Sequence, residues 1–459
     1  MADASSSQRL GTACNVVFGS MLVGCGAIAV FLALRADEFL TGPRQRVVFV
    51  GLPLLLGAIS LAGLRIAVDR KLKLLLLLFS TGFSLLSAEL WLLGLESWRE
   101  RASAEARAAV IRELKQSRPD YDDRSIRTFL DDHWRSGTRI YPRIYQLSSR
   151  TVDVGGTRTH PTSHLSDQLI LECFEDGSYK VYRSDEYGFT NPPGSHRQRA
   201  DVVLVGDSFT AGVCVPVADD IAARMRRVIP RTVNLGIGGA GPLWELANLV
   251  EYGLPLEPEV VFWLYYEGND LGDMMHEVTF PELTRYLEDD APDLRNRKAE
   301  IDEVVAASQR EQISALTQTG DAQPAPPSLL GGLARSLSLP RIRMQLGLDR
   351  DTTGHSQARI ELLERVILRA RSLVESRGGR FVFVYVPDYI RFAHGSETFD
   401  RELVVEMLSR NGVRWIDLLS ELGKHPDALS LYPHRQVGHF NADGYAFIAD
   451  RLLEEAPRE

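Results

Sequence analysis

Cysteine is scarce and scattered in this chain. Its 459 residues include four, Cys14, Cys25, Cys173 and Cys214, with no CxxC pair and no Cys/His spacing. Neither a zinc site nor a disulfide framework can be read from them. An excess of positive charge is missing too: 25% of residues are charged and the formal net charge is -9. That is ordinary for a globular protein and gives no electrostatic footprint for nucleic acid. Charge is also absent locally. From Thr12 to Leu34 there is no charged side chain at all, and nearly all long apolar runs fall in the first hundred or so residues.

The Thr12–Leu34 run covers 23 residues, enough as a helix to span a hydrocarbon core of about 30 Å. Val47–Leu64 is a second run and contains Pro53, which membrane helices tolerate. Leu72–Leu95 is a third, broken only by Lys73 at its start and Glu89 near its end, with Trp91 and Trp98 placed as an interfacial aromatic belt would be. These read as three transmembrane helices rather than a cleavable signal peptide. An intramembrane acid is functional by default. Glu89 lies within two turns of its run's end, however, where an interfacial or helix-packing role is expected.

Length allows two or three structural units. Residues 1–98 read as the membrane anchor, and residues 99–199 as a charged helix leaving the bilayer followed by a small β-containing segment with strands QLILECF and YKVYRS. From Ala200, apolar strands (DVVLVG, TVNLG, VVFWLYY, RFVFVYVP, VRWIDLL) alternate with helices. Strands apolar on both faces and separated by helices predict an α/β fold, a parallel sheet covered on both sides. Ligands of such sheets bind outside the carboxyl ends of the strands. The loops there hold GDS (206–208), NLGIGGAG (234–241) and GND (268–270), and GHFNADG precedes the last helix. An insert at about 271–356 interrupts the alternation. It is expected in part to cover the site, with a mobile Ala/Pro-rich stretch near 321–328.

Ser208 has two readings, a nucleophile or the polar residue that starts a helix, since Ser and Asp are common N-caps. GIGGAG fits a dinucleotide-binding pattern, but it follows the second strand of the alternation and no acid closes a further strand about 20 residues on. The four blocks together, in this order on strand ends, resemble the SGNH or GDSL hydrolases. SDEYGFTNP, leading into the GDS strand, is similar to a lead-in of bacterial membrane-attached members, with Thr190 where those often carry Arg. The resemblance implies an α/β/α sandwich and an acyl-Ser208 intermediate. His439 would act as base and then as acid, with an oxyanion site from the Ser208 N–H, Gly239 and the Asn269 side chain. Asp207 would be a structural hydrogen-bonding partner. A hydroxyl is a poor nucleophile until such a base takes its proton, and the oxyanion needs fixed donors.

One departure stands out. The family carries an Asp two or three residues before its His, whereas this chain has Val437 and Gln436. Either the site works as a dyad, its imidazole held by a backbone carbonyl, Gln436 or a distant acid such as Asp417 or Asp427, or efficient catalysis has been lost. The leading expectation is a membrane-anchored ester hydrolase or O-acyltransferase without metal or organic cofactor. Its substrate would be an acyl ester or polysaccharide, an acylated cell-surface carbohydrate or lipid, and its partners those of polysaccharide biosynthesis. The alternative is a catalytically weak, membrane-tethered carbohydrate-binding or scaffolding protein. A multi-pass inner-membrane location is expected, with the catalytic domain extracytoplasmic. Three spans put the termini on opposite sides, and Arg9, Arg65, Arg70, Lys71 and Lys73 outnumber Arg35, Arg44 and Arg46 once the basic residues of the following domain (Arg99, Arg101, Arg107, Arg112 and Lys115) are set aside.

Overall fold

The computed structural model describes residues 2–39, 43–117, 121–143, 151–174, 177–318, 339–345, 354–395, 400–436 and 438–457. The chain divides into two compact units, residues 1–108 with 323–358, and residues 109–322 with 359–459.

The first unit contains α1 (Ala2–Phe39), α2 (Pro43–Arg65) and most of α3 (Val68–Ser117). Phe18 of α1 is fully buried over Gly63 of α2, where a Cβ would fall 2.6 Å from its ring. Two stretches, Gln8–Phe31 and Val68–Trp98, are long and apolar enough to cross a membrane. Two such helices are found where three were expected: among the described residues the apolar part of α2, Val50–Arg65, is shorter. The charge count between loops assumed termini on opposite sides, so it no longer ranks the two orientations. Glu89, wholly buried, accepts the backbone N–H groups of Arg341 and Ile342 at 3.1 and 3.0 Å. The Arg341 guanidinium lies 3.3 Å from it and also reaches Glu96 at 2.6 Å. Both donors start a short helix, Pro340–Gln345, which is α11 in chain order.

The second unit opens with α4 (Ile126–Arg135), capped by the Ser125 hydroxyl. A three-stranded sheet comes next: β1 (Ile140–Pro142) runs parallel to β4 (Leu169–Cys173), which pairs antiparallel with β5 (Lys180–Arg183). β2 (Val152–Val154) and β3 (Thr157–Thr159) form a hairpin. The SDEYGFTNP stretch then latches this segment to the strand that ends at Asn234. The Asn191 amide donates to Asp185 and to the Asn234 carbonyl, both at 2.8 Å, and its oxygen accepts the Asn234 N–H at 2.8 Å. Asp185 also meets the buried His196 ring at 3.0 Å.

The main sheet has five parallel strands, β6 (Val202–Gly206), β7 (Thr232–Asn234), β8 (Val260–Tyr266), β9 (Arg380–Val386) and β10 (Trp415–Asp417), in the spatial order β7-β6-β8-β9-β10. Alternation along each strand feeds two cores. Val203, Val205, Trp263 and Phe383 face one, which packs α7 (Pro242–Asn248), α12 (Gly354–Glu375) and α14 (Asp400–Arg410). Val202, Leu204, Phe262 and Val384 face the other, with α6 (Ile221–Arg226), α15 (Leu418–Leu422) and α16 (Ala442–Glu455). The expected α/β/α sandwich therefore forms. Strand order reverses direction at β6, so the crevice beyond the carboxyl ends of β6 and β8 is the topological switch point.

After β8 come α8 (Asp270–Glu277), α9 (Pro281–Thr284) and α10 (Lys298–Gln318), which open the insert. They strap the membrane-proximal segment to the sandwich. Lys298 Nζ donates to the His164 carbonyl at 2.7 Å, Arg297 to that of Val154 at 2.9 Å, and Gln309 to that of Pro142 at 2.8 Å. The stretch 321–328 lies outside the described residues.

Candidate active site

β6 stops at Gly206 for a steric reason. A Cβ there would sit 2.7 Å from the Leu264 carbonyl oxygen and collide with the Thr210 hydroxyl. The chain turns at once into α5 (Ser208–Ala211). The cap is Asp207, whose Oδ1 accepts the Phe209 N–H at 2.9 Å. Ser208 is therefore the first helical residue and its hydroxyl is released from capping. That hydroxyl lies 2.8 Å from His439 Nε2, and 3.3 Å from Asp207 Oδ2.

His439 reaches this point from the loop before α16. Asn441 caps that helix by accepting the Asp443 and Gly444 N–H groups, both at 3.0 Å. Tyr445 Oη donates to the Val213 carbonyl at 3.1 Å, which ties α16 to the loop following Ser208. The imidazole packs against the Phe209 ring, centroids 5.0 Å apart.

The loop after β7 is pressed onto α5. Asn234 Nδ2 donates to the Thr210 carbonyl and its Oδ1 accepts the Gly236 N–H, both at 2.8 Å. A Cβ on Gly236 would lie 2.7 Å from the Thr210 carbonyl carbon. Gly239, in the same loop, is half-buried with φ 78°, a backbone region that favours glycine. Asn269 stands at the N-cap position of α8 but its side chain makes no capping bond. Its Oδ1 is buried without a hydrogen-bond partner among the described residues, and Asn269 lies near enough to Asp207 to help hold that carboxyl's pKa down. Burial raises the Asp207 pKa, opposed by the Phe209 N–H, the charge of His439, the Ser208 hydroxyl and the Asn269 amide. Behind it, Asp270 and Glu245 are fully buried and pushed well above the ordinary carboxylate range, first by desolvation. Groups so placed favour their neutral forms.

Ser208 and His439 are thus in contact, with Asp207 and Asn269 beside them. The distant acids considered for His439 are engaged elsewhere: Asp417 binds Arg401 at 2.7 Å and Ser420 at 2.6 Å, and Asp427 pairs with Arg435. Gln436 is half-buried in extended backbone just after a 3₁₀ turn.

Three features were not legible in the sequence. Cys173 of β4 and Cys214, six residues past Ser208, form a disulfide. Glu172, beside Cys173, is buried in the wall of a cavity of about 230 Å³ that His439 also lines, with Arg143 and Val213. A neighbouring cavity of about 290 Å³ is bounded by Glu172, Tyr182, Thr190, Ala211 and Gly212. Among the described residues both are walled by the membrane-proximal segment and the Ser208 loop, and part of the insert expected to cover the site lies outside the described residues. The signal for the disulfide was the pair of cysteines outside the apolar runs. Among the described residues no group of three or more His, Cys, Asp or Glu is arranged to hold a metal ion.

No protein-family model and no curated protein matches the chain. Among solved structures it is similar to a lipase/acylhydrolase from Enterococcus faecalis, with 17% identity, a TM-score of 0.31 and coverage of 57% of this chain and 98% of that one. It is similar also to an acetyl xylan esterase, AlAXEase, with 14% identity, a TM-score of 0.30 and coverage of 55% and 98%. A GDSL-like lipase from Bacteroides thetaiotaomicron shares 11% identity, with a TM-score of 0.27 and coverage of 58% and 90%.

Proposed function

We propose that this chain is a membrane-anchored serine ester hydrolase or O-acyltransferase of the SGNH type, acting through an acyl-Ser208 intermediate. The observation that carries the reading is the 2.8 Å contact between Ser208 Oγ and His439 Nε2 at the switch point of the sheet. A serine hydroxyl is a weak nucleophile until a base takes its proton. His439 is within proton-transfer reach, and Asp207, by taking over the cap, leaves the hydroxyl free to attack. As Oγ bonds to the acyl carbon, its proton moves to Nε2 and negative charge develops on the carbonyl oxygen. The Ser208 N–H, the Gly239 N–H and the Asn269 amide are the donors assigned to that oxygen, each worth roughly 10²–10³ in rate. When the tetrahedral species collapses, His439 returns the proton to the departing alcohol. Water, or a sugar hydroxyl activated by the same imidazole, then resolves the acyl-enzyme.

The substrate assigned is an acylated cell-surface carbohydrate or lipid, supported by the membrane-attached lead-in motif. The catalytic unit is placed outside the cytoplasm. Support comes from the Cys173–Cys214 disulfide, because such bonds persist in oxidising compartments and are rare in the cytosol. The bridge bears on location whatever the number of membrane crossings. The test is an assay of the full chain against short acyl esters, with and without carbohydrate acceptors. Release of free acid alone identifies a hydrolase, and acceptor-dependent ester formation a transferase. No turnover in either format, at any acyl length, would remove the catalytic reading.

A further inference from the structure

The acid that a serine–histidine pair ordinarily uses is missing from its usual place near Gln436, yet a carboxylate comes to His439 from a different part of the chain. Glu172 lies on β4 of the membrane-proximal sheet and is buried. It shares the wall of the cavity of about 230 Å³ with His439. Among the described residues, neither of its carboxylate oxygens receives a hydrogen bond. The Arg143 guanidinium stands 3.6 Å away, too far for a hydrogen bond. A buried carboxylate held by one long ion pair and no hydrogen bond is costly. The adjoining residue, Cys173, is joined covalently to Cys214 in the loop after Ser208, and that loop is held to the His439 side by Tyr445. The disulfide therefore holds Glu172 in the cavity that His439 lines.

We propose that Glu172, delivered by the membrane-proximal sheet and locked by the Cys173–Cys214 bridge, is the positioning residue of His439 and supplies the negative charge that stabilises its imidazolium. This rests on the Ser208–His439 reading above. On this assignment the membrane-proximal segment completes the active site rather than merely linking it to the membrane. Burial pushes the Glu172 carboxyl up, and the charges of Arg143 and His439 pull it back. Arg143 thus favours the ionised form in a place where desolvation opposes it. Among the described residues, Glu172 and Asp207 both sense the charge of His439, and Arg143 pairs with Glu172.

The test uses the full chain in detergent, with S208A, E172Q, E172D and the double variant E172Q/Q436D. Readouts are steady-state hydrolysis of a short acyl ester, its pH profile and labelling by a serine-reactive phosphonate. Removing a carboxylate from a serine triad costs up to about 10⁴ in kcat. For E172Q a fall in kcat of roughly 10- to 100-fold with KM little changed is expected, the charge being removed but the base kept. With the negative charge gone, neutral imidazole persists to lower pH. The acid limb of kcat/KM should therefore move down by about one pH unit. E172D should retain part of the rate, and E172Q/Q436D should recover part of it by restoring an acid at the family's position. If E172Q keeps the wild-type kcat and acid limb while S208A is inactive, the Glu172 proposal is overturned and the Ser208 reading stands. A rise in KM alone for E172Q overturns the Glu172 proposal in the same way. If S208A labels and turns over like wild type, the Ser208 reading itself is overturned. Should E172Q fold poorly, E172D still decides: a wild-type kcat with the carboxylate one methylene shorter contradicts the proposal.

Discussion

Reducing or removing the Cys173–Cys214 bridge perturbs both stability and the site. The two cysteines are 41 residues apart in sequence. Closing a loop of that size removes denatured-state entropy of about 13 cal/mol/K on the chain-entropy model, or roughly 4 kcal/mol at 25 °C. For a unit of some three hundred residues, with about 2.1 cal/mol/K of unfolding entropy per residue, each kcal/mol moves the melting temperature by roughly 1.5 °C. A Cys214→Ser chain should therefore melt about 6 °C below wild type, and wild type in strong reductant should approach the variant. The same change frees β4 from the Ser208 loop, so phosphonate labelling should slow at temperatures where the variant is still folded. Differential scanning of the purified chain, paired with thiol counting on denatured protein, provides the measurement. The described thiols Cys14 and Cys25 are free, so unreduced wild type should show two reactive thiols and reduced protein four. Four thiols without reductant would refute the bridge, and with it the placement in an oxidising compartment. An unchanged melting temperature in the variant would refute the energetic reasoning.

Asn191→Ala removes a fully engaged amide that joins Asp185 to both backbone groups of Asn234. A loss of about 2–4 kcal/mol is expected in denaturant unfolding, because buried partners are left unpaired. Asp220 caps α6 through the Ala223 N–H, and burial pushes its pKa up to about 7. A folded-state value above the ordinary 3.8 means that its contribution to stability is complete below about pH 4 and is lost as pH rises through 7. Asp220→Asn keeps the cap without the charge, so its melting temperature should gain on wild type between pH 5 and pH 8, and parallel profiles would contradict this. A C-terminal alkaline phosphatase fusion should be active and a fluorescent-protein fusion dark. The reverse would place the site in the cytoplasm and remove surface polymers from the substrates.

The strands that build the site were legible because each is apolar on both faces and bounded by turn residues. β6, β8 and β9 lie where DVVLVG, VVFWLYY and RFVFVYVP stand, and GDS falls at a carboxyl end as the alternation required. The cap question was not legible, since Asp207 and Ser208 are both good N-caps and only the backbone turn forced by Gly206 decides between them. Contacts distant in sequence leave no periodic trace. Cys173 meets Cys214, and Glu172 meets the cavity of His439, through a small sheet whose short strands carry weak patterns. Arg341 pairs with Glu89 across 252 positions.

The central claim is that Ser208 is the nucleophile and His439 its base. It is tested most directly by intact-protein and peptide mass spectrometry after treatment with a serine-reactive phosphonate. One adduct is predicted on the wild-type chain, located on Ser208, and none on Ser208→Ala. His439→Ala should form that adduct at least 10²-fold more slowly, in line with the roughly 10²–10⁴ contributed by general bases. An adduct on another residue, or equal labelling of Ser208→Ala, would contradict it.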